Sequence, residues 1–455
     1  MKTVNLDRKF AAAIVALILI STAIGALLVQ QYFPQIGTIK AEGPEDPLEA
    51  WSEASYIIWQ YNSTHYACRN MSTNMVESLS TNASATLNFA TGNGTYSNIT
   101  VLVKAGTYLL QNDTILGNNT VFRGENKYSV ILVNARVGMA QGYTNGLIRN
   151  YGMGGDLSLD QNITVSDFTI DGQRGASKRG FGIAFEDVQY VTVQDIIVHD
   201  IDADAINFDG LSVNQGGRGT SVGYSSNIVI QNIDGFNQGV DCVAVANASY
   251  VQISHIRSFN HGIRTDINGH GLTLTKVERA QVDMVFAYNS TGRVSTVVGA
   301  GGIQLNGVRD SQFSNIYSCY NNGSGIYASD SDTYNCYRNT FVNIHLEYNM
   351  LYGAYLKNLD GSTFNGIEAI SNSQDSNNTY AGIFWVATQD IVFSNARLGD
   401  VQTSKTQTVG MNETGTCDRN IFALINARDN WVAGIIIIGT DTKVNLSWNL
   451  TSWIP

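Results

Sequence analysis

The sequence predicts an all-β chain folded as a right-handed parallel β-helix solenoid, on three observations. First, a Gly followed by alternating apolar residues recurs between Asn162 and Phe393. It reads Gly182-Ile183-Ala184-Phe185, Gly271-Leu272-Thr273-Leu274, Gly302-Ile303-Gln304-Leu305, Gly325-Ile326-Tyr327-Ala328, Gly353-Ala354-Tyr355-Leu356 and Gly382-Ile383-Phe384-Trp385. From Gly271 onward the intervals are 31, 23, 28 and 29 residues, and self-similarity at roughly 20–50 residues marks a solenoid or a propeller. Second, the apolar residues alternate at period two and never take up a helical spacing, in recurring segments such as Ile163-Thr164-Val165, Val191-Thr192-Val193, Ile228-Val229-Ile230 and Val251-Gln252-Ile253. Third, prolines stand only at 34, 44, 47 and 455, so the chain between them is free to donate its N–H groups to strand ladders. A propeller blade needs about 40 residues and two-residue hairpin turns. The segments here are shorter and lack such turns, which leaves the β-helix.

Each part of the chain then has a place. Residues 1–33 form an N-terminal membrane or export segment: Lys2, Arg8 and Lys9 precede an uncharged run at 10–29, long enough for a bilayer core of about 30 Å. Acidic Glu42, Glu45 and Asp46 follow, so the C-terminal bulk is expected outside the cytoplasm. Either the run is retained as a single-pass transmembrane anchor, or it is a signal peptide cleaved near Ala23 and Gly25. Residues 34–50 are a Pro/Gly/Glu linker. In 51–98, strands at 54–60 and 64–68 flank a turn at Tyr61-Asn62-Ser63, and a short helix at 83–89 closes the open end of the solenoid. The β-helix occupies 99–440, opening with Ile99-Thr100-Val101-Leu102-Val103 and ending on a buried Ile435-Ile436-Ile437-Ile438. Its expected core includes Ile183, Phe185, Val191, Val193, Ile228, Ile230, Leu272, Leu274, Ile303, Leu305, Tyr355, Phe364 and Ile383. Residues 441–455, with Trp448 and Trp453, fold over the C-terminal end as a cap or tail.

A net charge of −11 argues against a nucleic-acid partner, whose phosphates call for a basic face. Fifteen N-x-Ser/Thr sequons agree with a glycosylated, extracellular chain in a host that glycosylates. The five cysteines (68, 242, 319, 336 and 417) lack metal-ligand spacing and read as buried small hydrophobes, although Cys319 and Cys336 lie in consecutive repeats and could bridge in an oxidising compartment. No zinc or phosphate-loop pattern appears, so no cofactor is expected. Asp200, Asp202 and Asp204 form an acidic cluster to which Ca²⁺ is an option, a solvated bend being the plainer reading.

Val103-Lys104-Ala105-Gly106-Thr107-Tyr108, followed by Asn119-Thr120-Val121-Phe122-Arg123-Gly124-Glu125 and later Ile170-Asp171-Gly172, resembles the opening of the pectate-lyase-like superfamily, in its rhamnogalacturonase/epimerase-like branch. The resemblance spans residues 54–440 and implies the β-helix fold. It leaves activity open among hydrolases, polysaccharide lyases, epimerases and non-catalytic adhesins. Asn207-Phe208-Asp209-Gly210, Val240-Asp241-Cys242 and Gly269-His270-Gly271 are similar to three catalytic turns of polygalacturonases. Val240 stands where a further carboxylate is usual, Asn260-His261-Gly262 competes with the third turn, and Arg293-Val294-Ser295 lacks the Lys of an Arg-x-Lys clamp. The resemblance therefore implies Asp209, Asp241 and His270 as catalytic residues and Asn207, His261 and Arg293 as substrate-binding ones.

The chemistry fits that set. Glycoside hydrolysis needs one carboxyl to protonate the leaving oxygen and another to activate water or attack. Neighbouring rungs of a β-helix lie about 4.8 Å apart, so carboxylates at equivalent places can share one sugar. Two function classes result: a cell-surface glycoside-hydrolase-like enzyme acting on polysaccharide, with a lyase as its variant, or a non-catalytic surface solenoid that binds glycan.

Overall fold

The computed structural model describes residues 53–445, apart from 137–145, 154–158, 176–179, 210–224, 265–266, 293–300, 332–333 and 376–378. The expected membrane segment at 10–29, the linker at 34–50, Arg293 and the tail from 446 onward lie outside the described residues. Among the described residues no helix is long and apolar enough to cross a membrane.

The described chain begins with β1 (Tyr56–Gln60) paired antiparallel to β2 (Tyr66–Asn70), as the turn at 61–63 predicts. A third strand, β3 (Met75–Ser80), adds antiparallel to β2. It had no signal in the sequence because its apolar residues, Met75, Val76 and Leu79, remain exposed. Helix α1 (Ala83–Ala90) follows, its first turn capped by the Asn82 side chain, which accepts the Ala85 N–H. Ala83, Leu87 and Ala90 join the main core, so the helix seals the apolar end of the coil. The other edge of β1 pairs parallel with Ile99–Val103 and carries the sheet into the first rung.

From there the chain winds through three parallel ladders. Sheet A starts at Ile99–Val103 and Thr120–Gly124 and ends at Lys443–Asn445. Sheet B starts at Gly106–Leu110 and Val130–Asn134. Sheet C starts at Thr114–Leu116 and Gly146–Asn150 and ends at Ala433–Ile436. Among the described residues, the antiparallel contact between 162 and 393 is one isolated bridge, Ser331 to Tyr334. The bend from sheet A into sheet B is made by a single left-handed residue per rung: Asp167, Asp195, Asn232, His255, Met284, Asn315, Asn343, Gly366, Asn395 and Leu424 all have φ between 52° and 70°. Asn and Asp tolerate that conformation best, and the Asn343 amide donates to Asn315 Oδ1 at 2.6 Å, tying successive corners together.

Like residues stack inside. Phe313, Phe341 and Phe364 lie ring on ring, with centroids 4.8 and 4.3 Å apart, each burial contributing about 1.5–3 kcal/mol. A polar ladder runs beside them. The buried Asn349 amide donates to Ser318 O and Asn372 Oδ1, both at 3.0 Å, and its Oδ1 accepts from the Asn321 N–H and Nδ2. The glycine column marks where this interior is tightest: a Cβ on Gly302 would stand 1.7 Å from Ser318 Oγ.

Twelve of the thirteen expected core residues are buried, and Tyr355 is the exception. In the Gly353-Ala354-Tyr355-Leu356 strand the inward positions are Ala354 and Leu356. The strand's period therefore turns Tyr355 outward, where it stacks on Tyr327 at 5.5 Å. The C-terminal isoleucines are also less enclosed than expected: Ile435 and Ile436 are half-buried and Ile438 is 58% exposed. All five cysteines are buried free thiols. Cys319 and Cys336 stay unbridged because they sit in different ladders, Cys319 in sheet B and Cys336 in a small two-stranded ladder.

Candidate active site

The strands of sheet C share a local grammar. A small residue precedes an inward apolar residue, an outward residue and a second inward one, as in Gly271-Leu272-Thr273-Leu274. The register aligns Ile206, Val243, Leu272 and Ile303 on successive rungs. Two residues before each of the first three stand Asp204, Asp241 and His270. These side chains form one column at the entrance to sheet C.

The column is bonded along its length. The Asp241 N–H donates to Asp204 Oδ1 at 3.0 Å, and the His270 N–H donates to Asp241 Oδ1 at 2.6 Å. His270 Nδ1 lies 3.4 Å from that same oxygen and 3.5 Å from Thr273 Oγ1. His270 Nε2 is buried and has no hydrogen-bond partner among the described residues. The other oxygen of Asp204 accepts the Asn207 side-chain amide at 2.9 Å. Asp204, Asp241 and His270 are 8%, 7% and 1% exposed. Burial, reinforced by the neighbouring Asp241 charge, pushes the Asp204 carboxyl up to about 8, while the bonds from the Asp241 N–H and the Asn207 amide pull the other way.

Of the six residues expected at the site, Asp241, His270 and Asn207 come together here. Asp209 belongs to the same sheet but pairs with Ala246, five positions along the strand from Asp241. It stands off the column along the strand, yet near enough for its charge to add to the upward push on Asp204. Its expected alignment with Asp241 is therefore corrected. Asp209 keeps a separate setting: burial first, then the charges of Glu186 and Asp187, raise it to about 6 against the bond from Asn247. His261 is buried beside the column, within reach of the His270 and Asp241 charges. Its Nε2 meets Gly301 O at 2.8 Å and its Nδ1 meets Ser258 Oγ at 3.0 Å, and burial lowers it to about 4. Arg293 lies outside the described residues. The three aspartates considered for Ca²⁺ disperse. Asp200 pairs with His199 Nδ1 at 2.9 Å, Asp202 faces Arg264 at 3.8 Å, and Asp204 joins the column.

Asp204 is the residue the sequence reading missed, although a signal for it existed. Ala205-Ile206-Asn207-Phe208 fits the small–apolar–outward–apolar pattern, and so does Gly210-Leu211-Ser212-Val213 five residues later. The glycine drew the reading to the second copy. In the structure Ala205 fills the column that Cys242 and Gly271 fill on the next rungs, and Ile206 is the first inward residue.

No family model and no curated protein sequence matches the chain. Among solved structures it resembles the A-module of the mannuronan C-5 epimerase AlgE6 of Azotobacter vinelandii, with TM-score 0.54 and 13% identity over 80% of this chain and 94% of that one. It also resembles the Agl-KA catalytic domain, with TM-score 0.58 and 14% identity over 80% of this chain and 64% of that one. A third is the pre-mature bacteriophage phi29 gene product 12, with TM-score 0.52 and 15% identity over 79% of this chain and 54% of that one. At these identities the likeness is one of fold, and it agrees with the ladders described above: the chain is a parallel β-helix.

Proposed function

We propose that this β-helix acts on polysaccharide, and that the Asp204–Asp241–His270 column is a glycoside-hydrolase-like site. The observation that carries the reading is two carboxyls on adjacent rungs, one of them held up to about 8 by burial and its neighbour. Such a pair divides the roles hydrolysis needs. Asp204, protonated near neutrality, donates its proton to the glycosidic oxygen as that bond breaks. Asp241 takes the proton of the attacking water as the new C–O bond forms. His270, anchored through its N–H to Asp241, orients that carboxylate. Asn207 positions Asp204 through its amide. The mannuronan C-5 epimerase resemblance supports sugar chemistry on this scaffold without fixing the reaction.

The same proposal places the protein at the cell surface, held by residues 10–29 or secreted if that run is cleaved, with surface glycan as its partner. The test is Asp241→Asn assayed against a panel of neutral and acidic polysaccharides. Reducing-end release by the unmodified chain, lost in the variant at unchanged thermal stability, supports hydrolysis. An unsaturated product would replace hydrolysis with the lyase reading. A variant that merely unfolds would make the column structural and leave a non-catalytic solenoid.

A further inference from the structure

A second cluster of chemistry-bearing side chains stands on the outer face of sheet B. Cys319 and Glu347 are in register on adjacent rungs, and His345 precedes Glu347 by two residues on the same strand face. The Cys319 Sγ, a His345 ring nitrogen and a Glu347 carboxylate oxygen all lie within 4.8 Å of one another. His345 Nε2 is 3.0 Å from Glu347 Oε1. Thiolate, imidazole and carboxylate are the ligand types zinc takes, at about 2.3, 2.0–2.1 and 2.0–2.2 Å. A tetrahedral centre with those bonds spaces its ligands by roughly 3.3–3.8 Å, so the three groups need shift only slightly to enclose one cation.

The surroundings point the same way. Glu368 is in register with His345 on the next rung, and its Oε2 lies 2.9 Å from His345 Nδ1. A carboxylate on the far nitrogen of a ligating histidine fixes the tautomer. Here it keeps the proton on Nδ1 and leaves the Nε2 lone pair facing Glu347 and Cys319. Arg397, one rung further, stands 3.8 Å from Glu368 Oε1 and continues the chain of support. On the other side Tyr288 is in register with Cys319, and the Tyr317 ring lies 5.6 Å from the His345 ring. Cys319 is thereby 3% exposed, while the His345 and Glu347 side chains each keep 27% of their surface open to solvent. One wall is apolar and one side is wet, as a site with an exchangeable position requires.

We propose that Cys319, His345 and Glu347 bind one zinc-class divalent cation, with water at the fourth position and Glu368 positioning His345. Binding transfers the Cys319 thiol proton to solvent, because the ligand is the thiolate. In the metal-free fold, burial holds that thiol up at about 12. The site is on a different sheet from the carboxylate column and does not depend on the polysaccharide reading. The competing account is an ion-pair network, in which a protonated His345 simply bridges the two glutamates.

The experiment uses the full chain, stripped with a chelator, in equilibrium dialysis against Zn²⁺ and in a Co²⁺ titration followed by absorbance. The expected result is one Zn²⁺ per chain and a thiolate-to-cobalt charge-transfer band that Cys319→Ser abolishes. Glu368→Gln should retain the band at saturation while lowering affinity about 10–100-fold. Should Cys319→Ser fail to fold, Glu347→Gln, at a half-exposed position, is expected to weaken binding in its place. Absence of the band in the unmodified chain, or equal affinity in Cys319→Ser or Glu347→Gln, would overturn the site in favour of the ion-pair network. Unchanged affinity in Glu368→Gln would remove the positioning role.

Discussion

Replacing Asp204 with Asn should make the fold less sensitive to alkali. In the unfolded chain an aspartate titrates near 3.9, whereas in the fold burial and Asp241 hold Asp204 at about 8. Between those values the folded chain keeps a proton that the unfolded chain has released, so stability falls as pH rises. The loss begins above about pH 4 and is complete above about pH 8. Four units at about 1.4 kcal/mol each give on the order of 5 kcal/mol, an upper figure because the neighbouring charge relaxes as well. Asn is neutral throughout and nearly isosteric. Its Oδ1 can keep the bond from the Asp241 N–H, now 3.0 Å, and its amide requires only that the half-exposed Asn207 turn its own amide round. Thermal unfolding of both proteins at about pH 4 and about pH 9 reads the effect. The two midpoints should nearly coincide in acid, and the variant should be the more stable by several degrees in alkali. Parallel pH profiles for the two proteins would refute both the buried acid and the role assigned to it.

Two further outcomes follow from the architecture. Asn349→Ala withdraws partners from the Asn321 N–H and Nδ2, from Ser318 O and from Asn372 Oδ1, all buried. At about 1–3 kcal/mol for each uncompensated buried group, partly relieved by repacking, a destabilisation of roughly 3–5 kcal/mol is expected in urea unfolding. A loss under about 1 kcal/mol would show the ladder to be incidental. For placement, cell fractionation should find the intact chain with membranes and open to external protease, or in the medium if the N-terminal run is cleaved. A chain protected from that protease would rule out the surface assignment.

The fold was legible because a β-helix writes its rungs directly into sequence. Ile303 and Leu305 repeat the alternation of Leu272 and Leu274, and the register stacks them as the spacing predicts. What the sequence hid was phase. Rung lengths vary, 37 residues separating Val191 from Ile228 but only 23 separating Ile228 from Val251. Fixed spacing therefore cannot align side chains between rungs. That variation let Gly210 stand in for Ala205 and moved the expected carboxylate from Asp204 to Asp209. Tyr355 failed for a smaller reason, a slip of one residue, which in a period-two strand exchanges inside for outside. The Cys319–His345–Glu347 group was invisible because its members are chemical neighbours only once two rungs are stacked.

The position of the carboxylate column within its own row argues most strongly that it is more than a set of turn residues. Reading the register along sheet C, the row two residues before each first inward side chain runs Asn112, Gly146, Phe181, Asp204, Asp241, His270, Gly301, Ser324, Tyr352, Ala381, Val409 and Ala433. Just before the ionisable run Phe181 packs with Met153 and Ala184, and at the C-terminal end Ala381, Val409 and Ala433 form an apolar cluster of their own. The backbone at this row thus accepts small or apolar residues without difficulty, and turn geometry alone does not call for acids. Ionisable groups occupy it on three consecutive rungs, where two carboxyls and an imidazole are nearly withdrawn from water. Burying a carboxyl beside another is unfavourable in itself. A local departure of this kind, within a fold whose other rungs obey the simpler rule, marks the place where chemistry is to be sought.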